Sequence, residues 1–214
     1  MQVKKLLDLI SNGESTKLEF KRKATTPIKL AKEISAIANT SGGYLIVGVD
    51  DNGTIYGIRS EKSESDSVEQ ACLFYIDPPI TPNITIEQIY DKDVLLLTID
   101  ESKVKPHRAV TDETEKRKEY KVYIRLGENS VEASKEMTRL MKHNTEDKPV
   151  KLSIGDKEKR LFTYLDKYEK ATVKDFASLV NISERRSERL LIRLVRAGVL
   201  NIHNDSNHDY FTFK

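Results

Sequence analysis

Near residue 150 the apolar residues of this chain change their period, and that change limits the folds open to it. Upstream, helix-spaced and alternating segments are interleaved; downstream, three short helix-spaced segments precede one pair of alternating runs. Met1–Ile10 sets Val3, Leu6, Leu7 and Ile10 on one helix face, and Asn12-Gly13 stops it. Lys17–Lys21 predicts a short strand with Leu18 and Phe20 on one side and Lys17, Glu19 and Lys21 on the other. Pro27 opens a helix to about Asn39. Tyr44–Val49, Asp51-Asn52-Gly53 and Thr54–Ile58 read as a hairpin on an Asn-Gly turn. Ser65–Tyr75 reads as a helix, and Asp77–Pro82, with three of the six prolines, as a loop. Asn83–Tyr90 and Val94–Asp100 make a second hairpin, and Lys121–Leu126 a further strand. The charged stretch Glu113–Glu119 reads as a mobile loop, Glu132–His143 as a helix capping this module, and Asn144–Pro149 as a linker.

Beyond the linker, Asp156–Tyr168 turns Leu161, Phe162 and Leu165 inward, and Thr172 caps a short helix to Val180. Asn181-Ile182-Ser183 is a turn into a third helix through Ala197, which Gly198 ends. Val199–Ile202 and Tyr210–Phe213 flank a polar tip, Asn204–His208. Three helices and a two-stranded wing in about sixty residues is the plan of a winged helix-turn-helix. The fold class expected is therefore α+β, with a mixed module at residues 1–145 and an all-α module carrying a small β wing at 150–214.

Composition removes several classes. The longest apolar stretches, Tyr44–Val49 and Val94–Ile99, are strand-sized, far short of a membrane span. The N-terminal segment has no apolar signal core, so a cytoplasmic protein is expected. One cysteine, Cys72, cannot form a disulfide within the chain, and with four histidines it makes no structural zinc framework. The net charge of +2 is unevenly spread: residues 151–214 hold thirteen Lys and Arg against nine Asp and Glu. A basic C-terminal third on a near-neutral body points to an appended nucleic-acid-binding module.

Projected at 100° per residue, the helix Ser183–Ala197 puts Leu190, Leu191, Leu194 and Val195 on one arc. Arg185, Arg186, Arg189, Arg193 and Arg196 fall on roughly the opposing one. Guanidinium groups so arrayed suit the major groove, reaching phosphates and guanine edges. The plainer alternative is a solvated face on which Glu184 and Glu188 pair with these arginines.

Glu14, Glu19, Lys21 and Asp50-Asp51 form a second constellation. Carboxylates converging at strand ends can hold a hard divalent ion, and a nearby lysine can offset charge on a phosphoryl transition state. Metal-dependent nucleases often use this set. A surface ion pair, and a hairpin turn that wants Asp-Asn-Gly, account for the same residues more simply.

The segments Glu14-Ser15-Thr16-Lys17-Leu18-Glu19-Phe20-Lys21-Arg22 and Ala36-Ile37-Ala38-Asn39-Thr40-Ser41-Gly42-Gly43-Tyr44-Leu45-Ile46-Val47-Gly48-Val49-Asp50-Asp51 carry a resemblance. Lys105-Pro106-His107, Tyr123-Ile124-Arg125-Leu126-Gly127 and Val131-Glu132-Ala133-Ser134 extend it. In this order, over roughly residues 10–140, they resemble the Schlafen-type AlbA-like domain, which implies a mixed α/β fold for the first module. In prokaryotes the resemblance implies a DNA-binding transcriptional regulator, often with a C-terminal helix-turn-helix. In vertebrate Schlafens the duplicated domain forms a horseshoe that cuts structured RNA such as tRNA, using two glutamates, an aspartate and a supporting lysine. By motif match these fall on Glu14, Glu19, Asp51 and Lys21, with Asp50 the less favoured aspartate. One copy is present here, so a two-lobed groove requires a homodimer. Longer relatives carry an ATPase-like region, but this chain has no G-x-x-x-x-G-K-[ST], so no ATP site is expected.

Further cations, among them Lys21-Arg22-Lys23, Lys103 and Lys116-Arg117-Lys118, could track a phosphate backbone, and the resemblance favours Lys105 and Arg108 as contacts. His107 is a poor general base, lacking a partner identifiable in the sequence. The reading that follows is a DNA-binding transcriptional regulator, cytoplasmic and homodimeric, that binds double-stranded DNA through Arg185, Arg186, Arg189, Arg193 and Arg196 with no cofactor. The alternative is a Schlafen-like endoribonuclease holding Mg²⁺ or Mn²⁺ at Glu14, Glu19 and Asp51 beside Lys21.

Overall fold

Leu45-Ile46-Val47 and Val94-Leu95-Leu96-Leu97 are unbroken apolar runs, as strands covered on both faces require. In the computed structural model, which describes residues 3–114, 117–144, 153–204 and 209–214, they are β2 (Gly43–Val47) and β5 (Lys92–Ile99). Both lie inside a four-stranded sheet ordered β1-β2-β5-β4, with β1 at Leu18–Lys21 and β4 at Asn83–Ile89. β1 and β2 are parallel, with α2 (Pro27–Asn39) between them in the chain; the other pairs are antiparallel. Alternation then sorts the side chains. Leu18, Phe20, Ile46 and Leu96 pack with Leu6 and Ile10 of α1 (Val3–Ser11). Leu45, Val47, Leu95 and Leu97 pack with α2 and with Val68, Ala71 and Cys72 of α3 (Glu61–Phe74). Burial pushes the Cys72 thiol up to about 12, which leaves it a small apolar group rather than a nucleophile.

A second antiparallel sheet runs β3-β6-β7-β8, at Ile76–Asp77, Arg108–Thr114, Arg117–Leu126 and Asn129–Glu132. Its Ala109 and Tyr123 join the core around α2. That second sheet explains why α2 is buried without a break from Ile34 to Asn39, beyond what one apolar stripe would need. These elements make up one compact unit, Met1–Glu132.

Two expectations are corrected. Tyr44–Val49 does not form a hairpin ladder with Thr54–Ile58; a single bridge, Val49 to Ile55, joins them. Both edges of β2 are taken, by β1 and β5, so no third strand can pair with it. The stretch Glu113–Glu119 is no loop at its flanks: Asp112 pairs with Glu119, Glu113 with Lys118 and Thr114 with Arg117 as β6 continues into β7. Lys116 lies outside the described residues. The second hairpin stands, turning through Tyr90 and Asp91, both at positive φ. α3 begins four residues earlier than expected, where the Ser60 hydroxyl accepts from the Ser63 N–H at 3.3 Å.

The other compact unit is Ala133–Lys214. It holds α4 (Lys135–Asn144), α5 (Asp156–Tyr168), α6 (Val173–Val180), α7 (Glu184–Arg196) and the antiparallel pair β9 (Leu200–Asn204) and β10 (Asp209–Phe213). Leu161, Leu165, Phe176, Val180, Leu191, Leu194, Leu200 and Phe211 form its core. Thr172 and Asp175 bond reciprocally at the start of α6, and Asn181, at φ 52°, ends it. The division falls at Glu132/Ala133, ahead of the 145–150 boundary read from the sequence. α4 belongs with this unit because Arg139 pairs with the buried Glu188 of α7. Residues 145–149 of the expected linker and 205–208 of the wing tip lie outside the described residues. Among the described residues, no helix is long and apolar enough to cross a membrane.

Candidate functional site

Strand alternation turns Leu18 and Phe20 into the α1 core and leaves Glu19 and Lys21 on the other face of β1. Glu19 is nonetheless buried, at 5% exposure, because Arg125 of β7 reaches it. Arg125 Nη1 donates to Glu19 Oε2 at 2.7 Å and to Ser130 Oγ at 3.2 Å, and lies 3.3 Å from Glu33 Oε2. Nη2 donates to the Ser15 carbonyl at 2.8 Å. The other oxygen of Glu19 accepts from Lys21 Nζ, which also donates to the Phe20 carbonyl at 2.8 Å. Glu14 accepts from the Phe20 N–H at 2.8 Å. Burial raises the Glu14 carboxyl above its ordinary value; the Phe20 bond and Lys21 oppose that, while Glu19 and Asp51 add to it. Glu14, Glu19, Lys21 and Asp51 thus share one electrostatic neighbourhood. Asp51 is exposed; Asp50 accepts from the Asp51 N–H at 3.2 Å.

This donor set does not fit a divalent ion as it stands. Both Glu19 oxygens are engaged by cations, and one Glu14 oxygen is held by backbone. Among the described residues, no three His, Cys, Asp or Glu side chains gather into a group able to hold a metal. What the arrangement does provide is a cross-link between β1, α2 and β7 through Glu19, Glu33 and Arg125.

The motif at the end of α2 has a similar structural basis. Asn39 Nδ2 donates to the carbonyls of His107 and Tyr123, each at 2.9 Å, and its Oδ1 accepts from the His107 N–H at 2.8 Å. Thr40 Oγ1 accepts from the Arg125 N–H at 2.9 Å. The His107 ring is buried between the Pro78 carbonyl and Ser102 Oγ, each at 2.7 Å. Burial lowers its pKa from 6.5, against the Pro78 bond. A histidine whose folded pKa lies below its unfolded value contributes stability above pH 6.5, lost as pH falls through the folded value. Melting temperatures from pH 8 to pH 5 should therefore drop more steeply for the wild type than for His107→Gln.

The two cations favoured as N-terminal contacts are engaged. Lys105 Nζ donates to the Thr40 carbonyl at 2.8 Å and to Glu101 Oε1 at 2.7 Å. Arg108 pairs with Asp77 and lies over the Tyr120 ring, 5.6 Å from its centroid, while staying half exposed. On α7, Arg185, Arg186 and Arg189 are exposed and form no ion pair among the described residues. Arg193 is different: its Nη2 lies 3.1 Å from the buried Glu158 Oε1. Arg196 is partly buried and also has an interaction of its own. The buried side of α7 is wider than the apolar arc, taking in Ser187, Glu188 and Ile192 as well.

The sequence reading missed the role of Arg125. It placed the residue on a strand and inside a motif of the resemblance, but nothing local signals a partner 106 positions away. It also missed Tyr56 and Arg59, which share a cleft with Arg22 and Lys23.

Residues 14–134 match the family model described as Schlafen, AlbA_2. Among solved structures, the DIP2311 protein from Corynebacterium diphtheriae is 23% identical with a TM-score of 0.46, over 63% of this chain and 30% of its own. The N-terminal domain of a putative ATP-dependent DNA helicase RecG-related protein from Nitrosomonas europaea is 20% identical with a TM-score of 0.37, over 46% of this chain and 72% of its own. This chain thus spans less than a third of the Corynebacterium protein it matches.

Proposed function

Because the chain belongs to the Schlafen, AlbA_2 family, whose domain implies nucleic-acid binding in general, we propose that it is a DNA-binding transcriptional regulator that reads duplex DNA with α7. The observation that carries this reading is the trio Arg185, Arg186 and Arg189, exposed and without carboxylate partners among the described residues. α7 is the second helix of an α6–turn–α7 pair and is followed by the β9–β10 hairpin, so the unit is read as a winged helix-turn-helix. Arg185, Arg186 and Arg189 lie within about 100° of arc, close enough for a helix in the major groove to present all three. Arg193 serves the fold through Glu158 before it serves DNA. A homodimer would place two such helices on half-sites about one or two helical turns apart.

The test is duplex affinity as a function of salt. Arg185→Glu/Arg189→Glu should weaken binding at least about tenfold and flatten the log–log salt slope, since two phosphate neutralisations are lost. Equal affinity for wild type and variant, both folded by circular dichroism, would overturn the assignment to α7. Cleavage by the N-terminal unit is not what the geometry favours, because Glu19 would have to leave Arg125 and Lys21 to bind an ion. Folded tRNA incubated with Mn²⁺ should stay intact, and cutting abolished by Glu14→Ala/Glu19→Ala would replace the regulator with an endoribonuclease.

A further inference from the structure

Beyond the carboxyl ends of the parallel strands β1 and β2, the two emerging segments enclose a cleft of about 510 Å³. Arg22 and Lys23, directly after β1, form one wall; Tyr56, Ile58 and Arg59, after β2, form the other. The second wall is tied down. The Tyr56 N–H donates to the Gly48 carbonyl at 2.8 Å, the Ile58 N–H to the Asp93 carbonyl at 2.7 Å, and Lys92 Nζ to the Ile55 carbonyl at 2.7 Å.

Three cations therefore face one concavity, all exposed and none paired with a carboxylate among the described residues. The single acidic lining residue, Glu64, offsets one of these charges and leaves the lining net positive; its Oε2 accepts from the Ala24 N–H at 2.6 Å. The Arg22 guanidinium lies over the Tyr56 ring, 3.8 Å from the centroid. Stacking fixes the plane of a guanidinium while leaving its N–H edge free to fork onto phosphate oxygens. Tyr56 stays 44% exposed as a residue, enough to meet a base or ribose. A cleft of this volume lies within the range of small-ligand sites, about 300–1,000 Å³, and is far larger than a lone phosphate needs. Its position, outside the carboxyl ends of adjacent parallel strands joined through a helix, is where α/β sheets place their ligands.

We propose that this cleft binds a nucleotide through its phosphate, which Arg22, Lys23 and Arg59 hold beside the Tyr56 ring. The nucleotide is either free or one unit of a single strand; the phosphate chemistry is shared. The site is independent of α7 and is not a glycine-rich phosphate loop.

Titration calorimetry of the full chain with AMP, and separately with a 5′-phosphorylated five-residue oligothymidylate, tests it. Binding of AMP assigns the free nucleotide, and binding of the oligonucleotide alone assigns a strand. Arg22→Gln/Arg59→Gln should weaken whichever binds at least tenfold, while Arg185→Glu/Arg189→Glu leaves it unchanged and loses duplex DNA. In amide NMR spectra of the wild type, the bound probe should shift Gly57 and Ile58, a readout that needs no variant. Failure of both probes to bind, shifts confined to other residues, or a folded cleft variant that binds as wild type would each overturn the proposal. Duplex binding lost only in the α7 variant would leave the regulator reading intact.

Discussion

Arg125→Ala should lower the unfolding free energy of the Met1–Glu132 unit by about 3–5 kcal/mol, the usual cost of stripping one partner from a buried ion pair. The size follows from what the guanidinium serves. Its side chain is fully buried, and it links Glu19 at 2.7 Å, Glu33 at 3.3 Å and the Ser15 carbonyl at 2.8 Å. Alanine strips the buried Glu19 carboxylate of this partner and leaves Lys21 as its remaining cation. Arg125→Lys should recover only part of the loss, because a point charge cannot reach two carboxylates and a carbonyl from one position. Urea unfolding followed by circular dichroism gives the number. A loss below about 1 kcal/mol would mean that Glu19 behaves as an ordinary surface ion pair. The outcome also bears on function: a carboxylate this dependent on Arg125 for its place is a structural group first.

How much of this was legible depended on how far each residue's partner lies along the chain. The alternation that puts Leu18 and Phe20 opposite Glu19 and Lys21 needs only five residues, and it was read correctly. The second hairpin was also local, even though its turn uses Tyr90 and Asp91 rather than an Asn-Gly pair. The first hairpin failed because turn chemistry at Asn52-Gly53 says nothing about which edges of β2 are free. β1 and β5 had claimed both. Glu113–Glu119 looked like a loop because a run of charges carries no apolar alternation, although the backbone keeps Glu113 in register with Lys118. The arginine stripe of α7 was visible from periodicity. That Arg193 belongs to Glu158 was not, since it takes the packing of α5 against the sheet and helices of its unit to bring them together. Nor did Ile192 show as core, since it falls outside the arc of Leu190, Leu191, Leu194 and Val195.

The motif glycines allow a sharper prediction, since their environments differ. Gly43→Ala should destabilise the first unit by about 3 kcal/mol or more, in the range reserved for a clash with immovable neighbours. A Cβ at Gly43 would overlap the Lys17 carbonyl, which accepts from the Tyr44 N–H at 2.7 Å at the start of the β1–β2 ladder. That obstacle is backbone, so no rotamer change can relieve it; one strand must move away from the other. Gly127→Ala is the control: it stands at φ +60° with nothing within 4 Å, so only the backbone preference is lost, about 1–2 kcal/mol. The two variants, melted side by side, should therefore differ although the substitution is identical. Separation of β1 from β2 would also displace Glu19 from Arg125 and pull Arg22 away from Tyr56. Gly43→Ala should accordingly weaken any ligand of the cleft while duplex binding by α7, in the other unit, persists. Equal losses at Gly43 and Gly127 would mean that β1 yields freely to its neighbour, and that neither the acidic cross-link nor the cleft is held by this strand pair.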